Sequence, residues 1–358
     1  MINPVFYAAL IIFVVGLLHV PRSLPSYRAR YLAAILPGIL ILAYAASEAF
    51  YFAIVCLCVN SVLFQLTRKL SHKKLKSYLP YAGLLLLFYP DYVRAWQNAE
   101  ILYLGSAFFV VRQFVTVKES IKKRVSSREQ LVATTLATFY FASLFTGPIF
   151  SGLDANRALC QERLIQHRIG LFKVLEGFVF VLPISVGLLL LQEELAVYLA
   201  SVDHSGIAWL CGYIAAPLLA FTFVFSTFFG YSKIAEGVAN LLGFEVPENF
   251  RQPHKAKDFA DFWQRWHRSM ADFVMKYLYL PISIELRSPR IGLLAAFVFM
   301  GLWHNVAWGY FVWGVAHGVA LIWLQPLLVS EKCPRVLGRI VTLTYVIMVS
   351  YTANVWIQ

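Results

Sequence analysis

Charge is scarce in this chain. Of its 358 residues only 14% are Asp, Glu, Lys or Arg, and 19 are acidic. Ordinary soluble domains carry about 25% charged residues, so a water-facing surface of the usual kind is excluded. Cysteine is scarce too: Cys56, Cys58, Cys160, Cys211 and Cys333 are odd in number and make no CxxC pair, which argues against a disulfide framework and against a thiolate zinc site. GxSxG, P-loop, GxGxxG and HExxH patterns are all missing, leaving serine-hydrolase, nucleotide-driven and zinc-protease chemistry without support. No carboxylate or cysteine stands at ligand spacing from the histidines, so neither a metal nor a bound cofactor is expected. Without an internal repeat, a low-complexity tract or a linker, the chain reads as a single integral-membrane domain over residues 1–358.

What the chain has in abundance is apolar length: 59% of it is hydrophobic. Runs able to supply the roughly 20 residues that cross a hydrocarbon core fall at about 4–20, 31–47, 49–66, 79–95, 100–117, 169–191, 207–229, 291–304, 307–325 and 337–356. This predicts an all-α polytopic membrane protein with about ten spans. The first run, from Pro4 to Val20, lacks a basic leader and a cleavage site and is read as a retained span. The net charge of +12 invites a nucleic-acid reading, but the basic residues sit in short clusters between apolar runs, and a basic nucleic-acid face is not expected.

Those clusters orient the chain. Arg22, Arg28 and Arg30 fill one loop, Arg68, Lys69, Lys73, Lys74 and Lys76 another, and Lys118, Lys122, Lys123, Arg124 and Arg128 a third. The turns between them carry Glu48 and, beside Arg94, Asp91 and Glu100. Basic loops stay in the cytoplasm, which predicts a multi-pass plasma (inner) membrane protein with its N-terminus outside. A full crossing by residues 130–150 would reverse that pattern downstream, so this run, interrupted at Gly147 and Pro148, is expected to be re-entrant or partly inserted. Residues 231–257 are expected at the cytoplasmic face, with a helix break at Pro247.

Residues 258–279 differ in kind. Phe259, Phe262, Trp263, Trp266, Met270, Phe273, Val274 and Tyr277 recur at spacings of three and four, with charged residues opposite. The pattern predicts one amphipathic helix lying at the membrane interface or against the inner rim of the bundle. Three of the eight histidines lie in or just after this stretch: His267, His304 and His317. His317 falls midway along an uncharged spanning run, where an ionisable side chain is by default a functional hypothesis. A neutral imidazole there can accept a proton, which makes His317 a candidate general base. A histidine hydrogen-bonded between helices is the plain alternative. Gly314 and Gly318 allow close approach by a neighbouring helix or a thin substrate chain. His304, at the end of the preceding span, is expected to lie roughly a dozen ångström shallower, as a pore-lining or a structural residue. His267 borders the two faces of its helix, as an interfacial anchor or as a working group. Proton transfer in a membrane shaft suits two chemistries: activating a hydroxyl that attacks an acyl donor, or relaying protons in a transporter.

These segments, DFWQRWHRSMADFVMKYLYLPI and GLWHNVAWGYFVWGVAHG, with PENFRQP ahead of them and VRQFVTVKESIK and FTGPIFSGLDANR upstream, resemble the membrane-bound O-acyltransferase family. The likeness covers residues 105–325 and is nearest to the bacterial branch of D-alanyl transfer proteins and alginate O-acetylases. The resemblance implies a ring of tilted spans with re-entrant and interfacial helices around a central tunnel. It implies that His317 is the active-site histidine, that His267 assists it, and that His304, Trp303, Trp266, Asn305 and Trp313 line the substrate tunnel. The implied co-substrate is an acyl thioester on a phosphopantetheinyl carrier protein or on coenzyme A, with the acyl-carrier protein docking on the cytoplasmic face. The implied acceptor is an envelope polymer, a lipid or a secreted metabolite. A proton-coupled transporter or flippase, or a non-catalytic scaffold, is the alternative.

Overall fold

The computed structural model describes residues 26–90, 105–161, 166–201, 206–330 and 333–355. The expected first span, the far end of the 79–95 run and the turn holding Asp91, Arg94 and Glu100 lie outside them. The described residues form helices: α1 Tyr27–Ala45, α2 Ser47–Lys69, α3 Lys73–Tyr78, α4 Ser106–Lys122, α5 Ser127–Phe139, α6 Gly152–Cys160, α7 His167–Ser201 and α8 Ile207–Leu242. After these come α9 Phe259–Trp263, α10 Arg268–Val274, α11 Leu280–Glu285, α12 Pro289–His304, α13 Trp308–Leu328 and α14 Arg335–Val355. Five of them, α2, α7, α8, α13 and α14, are long and apolar enough to cross a membrane, and α12 is a shorter apolar helix. Leu190, Leu191, Val197, Tyr213, Ile214 and Leu218 are all more than half exposed or close to it, which suits lipid and would be untenable in water.

The chain packs as two compact units. One runs to Leu175 and takes back Lys233–Pro247; the other holds Glu176–Ser232 and the residues from Glu248 onward. In the first, Phe64, Val117, Val125, Ala133 and Leu153 form a core. Asn60 donates to Gln113 at 2.8 Å and Gln113 to Thr138 at 2.9 Å, so this buried chain of hydrogen bonds links three helices. Ser126 caps α5 by accepting from the Glu129 N–H, an S-x-x-E start. The 130–150 run is helical only as far as Phe139. It continues through a short 3₁₀ turn into buried irregular chain, whose backbone needs internal partners. Arg112 donates to the Ser143 carbonyl at 2.8 Å, and Gly152 N–H to Thr116 Oγ1 at 2.9 Å.

In the second unit Ala256, Phe262 and Val346 form a core, with Phe221, Trp263, Trp266 and Leu343 packed on it. Two expectations need correcting. The helix expected to break at Pro247 stops sooner, at Leu242. Gly243 takes φ +87°, and Phe244 N–H returns to the Ala239 carbonyl at 3.0 Å, a left-handed helix stop that comes earlier than Pro247. The single amphipathic helix over 258–279 is instead broken between α9 and α10. There His267 adopts φ +43°, and residues Met275–Tyr279 form a π turn. Period and polarity were those of a helix; the break is imposed by a neighbouring loop that sequence periodicity does not see.

Candidate active site

The site is built on the hairpin of α12 and α13. Ser288 caps α12 through Ile291 N–H and Pro289 occupies its first turn, while Asn305 N–H closes its end on the Gly301 carbonyl. The two helices pack backbone to backbone. A Cβ on Gly314 would stand 2.5 Å from the Phe297 carbonyl oxygen, and one on Gly301 would run into the Tyr310 carbonyl. Any larger side chain at either place would prise the helices apart. This close approach brings Phe297 of α12 beside His317 of α13, with ring centroids 6.3 Å apart. A π turn, Ala320–Leu324, follows almost at once after His317, a feature that recurs at functional sites.

His317 is fully buried. Its ring meets Trp313 at 4.5 Å, Trp263 at 5.1 Å and Tyr345 at 5.7 Å, each edge to face. Tyr345 is itself fixed, its hydroxyl donating to the Ala316 carbonyl at 2.8 Å. Among the described residues neither ring nitrogen of His317 has a hydrogen-bond partner. A buried polar group left in that condition is costly.

His267 sits in the break between α9 and α10. On one side Arg251 N–H donates to the Arg265 carbonyl at 2.9 Å; on the other Arg268 N–H donates to the Asn249 carbonyl at 2.9 Å. The 249–251 segment thus brackets the turn and holds His267 in a left-handed conformation that a non-glycine residue rarely takes. The ring packs edge to face on Phe228 at 4.6 Å and lies 5.8 Å from Trp303. Burial, and next to that His304 nearby, hold its pKa well below the ordinary histidine value, so the ring is neutral at physiological pH.

A cavity of about 340 Å³ opens beside these residues. His267, His304, Trp263, Trp266, Trp303 and Trp313 stand in its wall, with Met270, Phe297 and Gln325 among the others. Gln325 donates to Asp258 at 2.9 Å and accepts from Ala260 N–H at 3.1 Å, which ties the far end of α13 to the start of α9. A second cavity of about 190 Å³ shares Trp263, Trp266, His304 and Trp313 and adds Ser350 and Tyr351 of α14. Trp313 donates to Ser350 Oγ at 3.2 Å.

The sequence-predicted residues therefore come together, but unequally. His267, His304, Trp266, Trp303 and Trp313 line the larger cavity. Trp313 lies against both His304, at 5.5 Å, and His317, at 4.5 Å, and Trp303 against both His267 and His304. Two placements differ from expectation. Asn305 ends α12 and lines neither cavity. His317 is also absent from both walls; Trp263, Phe297 and Trp313 form one aromatic layer between it and the larger cavity. Sequence reasoning missed Phe297 of this layer and Tyr345, which also packs on His317, since nothing in their local pattern sets them apart. Trp263 could have been found, for it shares a helical face with Trp266.

The chain is 33% identical over 115 residues to a peptidoglycan O-acetyltransferase of Helicobacter pylori, covering 30% of this chain and 22% of that protein. It is 26% identical over 246 residues to a probable alginate O-acetylase AlgI of Pseudomonas aeruginosa, covering 66% and 45%. It is 26% identical over 211 residues to the teichoic acid D-alanyltransferase of Bacillus subtilis, covering 54% and 52%. The chain thus spans about half or less of the length of each of these relatives. Residues 55–328, which contain the hairpin, the lining of the larger cavity and all three histidines, match the MBOAT, membrane-bound O-acyltransferase family, and the chain belongs to that family.

Proposed function

We propose that the protein moves a small acyl group, D-alanyl or acetyl, from a cytoplasmic thioester to a hydroxyl of a cell-envelope or extracytoplasmic acceptor, with His317 as general base. The observation that carries this reading is a pair of histidines, His267 and His304, in the wall of one largely apolar cavity, with His317 packed behind Trp313 of the same wall. The relatives named above support the same chemistry, with acetyl in two of them and D-alanyl in the third. The donor is an acyl group on a phosphopantetheinyl carrier protein or on coenzyme A. The basic loops, cytoplasmic by the charge rule, would receive the acidic carrier.

In the reaction the imidazole takes the acceptor's hydroxyl proton as the oxygen attacks the thioester carbonyl. Collapse of the tetrahedral adduct breaks the carbon–sulfur bond, and the imidazolium returns the proton to the departing thiolate. General base catalysis of this kind contributes about 10² to 10⁴ in rate, and holding two substrates in one cavity supplies much of the rest. The aromatic layer over His317 has to part for the acceptor to reach it. His267 orients the donor carbonyl, and His304 lines the acceptor's route.

A second assignment is favoured by the cavity wall itself: His267, which faces the space directly, is the base, and His317 supports Trp313 from behind. Acyl transfer from a radiolabelled thioester by the purified protein separates the two. In the first case His317→Ala abolishes transfer and His267→Ala slows it; in the second the order is reversed. A wild-type protein that transfers no acyl group with any donor and acceptor pair tried would remove both.

A further inference from the structure

We infer that Asn249 is a positioning residue for the reaction, holding His267 in the conformation that faces the cavity. The inference rests on the reading of His267 as a working group. Asn249 is fully buried and 18 residues before the histidine it serves. All the contacts the structure gives it run toward the His267 turn or anchor it from behind. Its carbonyl accepts the Arg268 N–H at 2.9 Å, directly after the histidine. Its side-chain oxygen accepts from Ser269 Oγ at 2.6 Å. Its amide nitrogen donates to Ser232 Oγ of α8 at 2.9 Å. One side chain therefore couples the long helix α8 to the first turn of α10, while its backbone clamps the junction of α9 and α10.

The strained residue lies at the point this clamp controls. His267 holds φ +43°, and a non-glycine residue remains in such a conformation only where its surroundings over-determine it, a pattern concentrated at working sites. Relaxing the turn to an ordinary helix would make α9 and α10 continuous and swing the ring off the cavity wall, since successive helical positions are rotated by about 100°. Phe228, on the same helix as Ser232, packs on the imidazole, so Asn249 also sets the distance between ring and packing partner. Only a primary amide provides both the donor and the acceptor: Asp loses the donor to Ser232, and Ala loses both.

The test is steady-state acyl transfer by the full-length protein in detergent or vesicles. For Asn249→Ala the expected result is a fall in kcat of at least tenfold with the thioester KM within about twofold of wild type, and a folded, monodisperse protein. Ser269→Ala, which spares the Ser232 bond, is expected to fall less. Because Asn249 acts through His267, Asn249→Ala is expected to cost little more in a His267→Gln background, where the two losses are not multiplicative. Losses that multiply, or a rise in KM at unchanged kcat, would overturn the inference and leave Asn249 as a structural residue of the loop. Full activity in His267→Gln alone would overturn it through the role of His267, without touching acyl transfer as such. No transfer by the wild type would remove the reading on which both stand.

Discussion

Two imidazoles share one aromatic scaffold here yet meet different surroundings. His267 reaches the cavity directly, whereas His317 is walled off by a single layer of rings. That difference is testable with an acylating reagent directed at imidazole, its sites mapped by mass spectrometry. In the wild type His267 reacts and His317 does not; Trp263→Ala, which removes part of the layer, makes His317 reactive. A His317 that reacts equally in both proteins would mean the layer is no barrier. A second residue-scale prediction concerns Asp261. Burial raises its pKa, but hydrogen bonds from Arg265 Nε at 2.7 Å and from Lys257 N–H at 3.0 Å outweigh this and hold the carboxyl below its ordinary value. A group depressed on folding stabilises fully above its unfolded pKa, about 3.9, and that stability is lost as pH falls through the lower folded value. The thermal midpoint should therefore hold from pH 7 to pH 5 and drop below about pH 4, and Asp261→Asn should lower the neutral-pH midpoint while flattening the acid limb. The histidines themselves were legible in the sequence, because an ionisable group in an uncharged spanning run stands out. Phe297 and Tyr345 were not, since only the fold brings them to His317.

At the scale of elements the α12–α13 hairpin carries the geometry. Gly314 and Gly301 each face a carbonyl of the partner helix, so Gly314→Ala forces an overpacked contact costing about 1–3 kcal/mol. A control lies in α7, where a Cβ on Gly187 meets nothing within 4 Å. There the Gly→Ala exchange should be neutral or stabilising by up to about 1 kcal/mol through helix propensity. Thermal unfolding in detergent followed by tryptophan fluorescence checks both: a drop of several degrees for Gly314→Ala and none for Gly187→Ala. Equal effects would show that the helices are not in backbone contact. The apolar helices α2, α7, α8, α12, α13 and α14 could be read from run length and polarity alone. The break at His267 could not, because its cause is the Asn249–Arg251 segment pairing with the turn, a tertiary constraint laid over a continuous helical period.

For the whole molecule, the membrane class was evident from the poverty of charge and the number of apolar runs. The grouping into two units, whose boundaries fall inside α7, inside α8 and after Pro247, left no mark in composition, since no linker separates them. The second unit alone holds the cavities and all three histidines, which leaves the account with one central requirement: an acyl thioester entering that unit must bring its carbonyl to a histidine that is closed off at rest. A structure of the protein with a thioether analogue of the acyl donor and a hydroxyl acceptor measures this directly. The account predicts the Trp263 or Trp313 ring displaced, with the acceptor oxygen within about 3 Å of a His317 ring nitrogen, hydrogen-bond range. An analogue seated in the cavity with its acceptor against His267, and the rings around His317 unmoved, would contradict it.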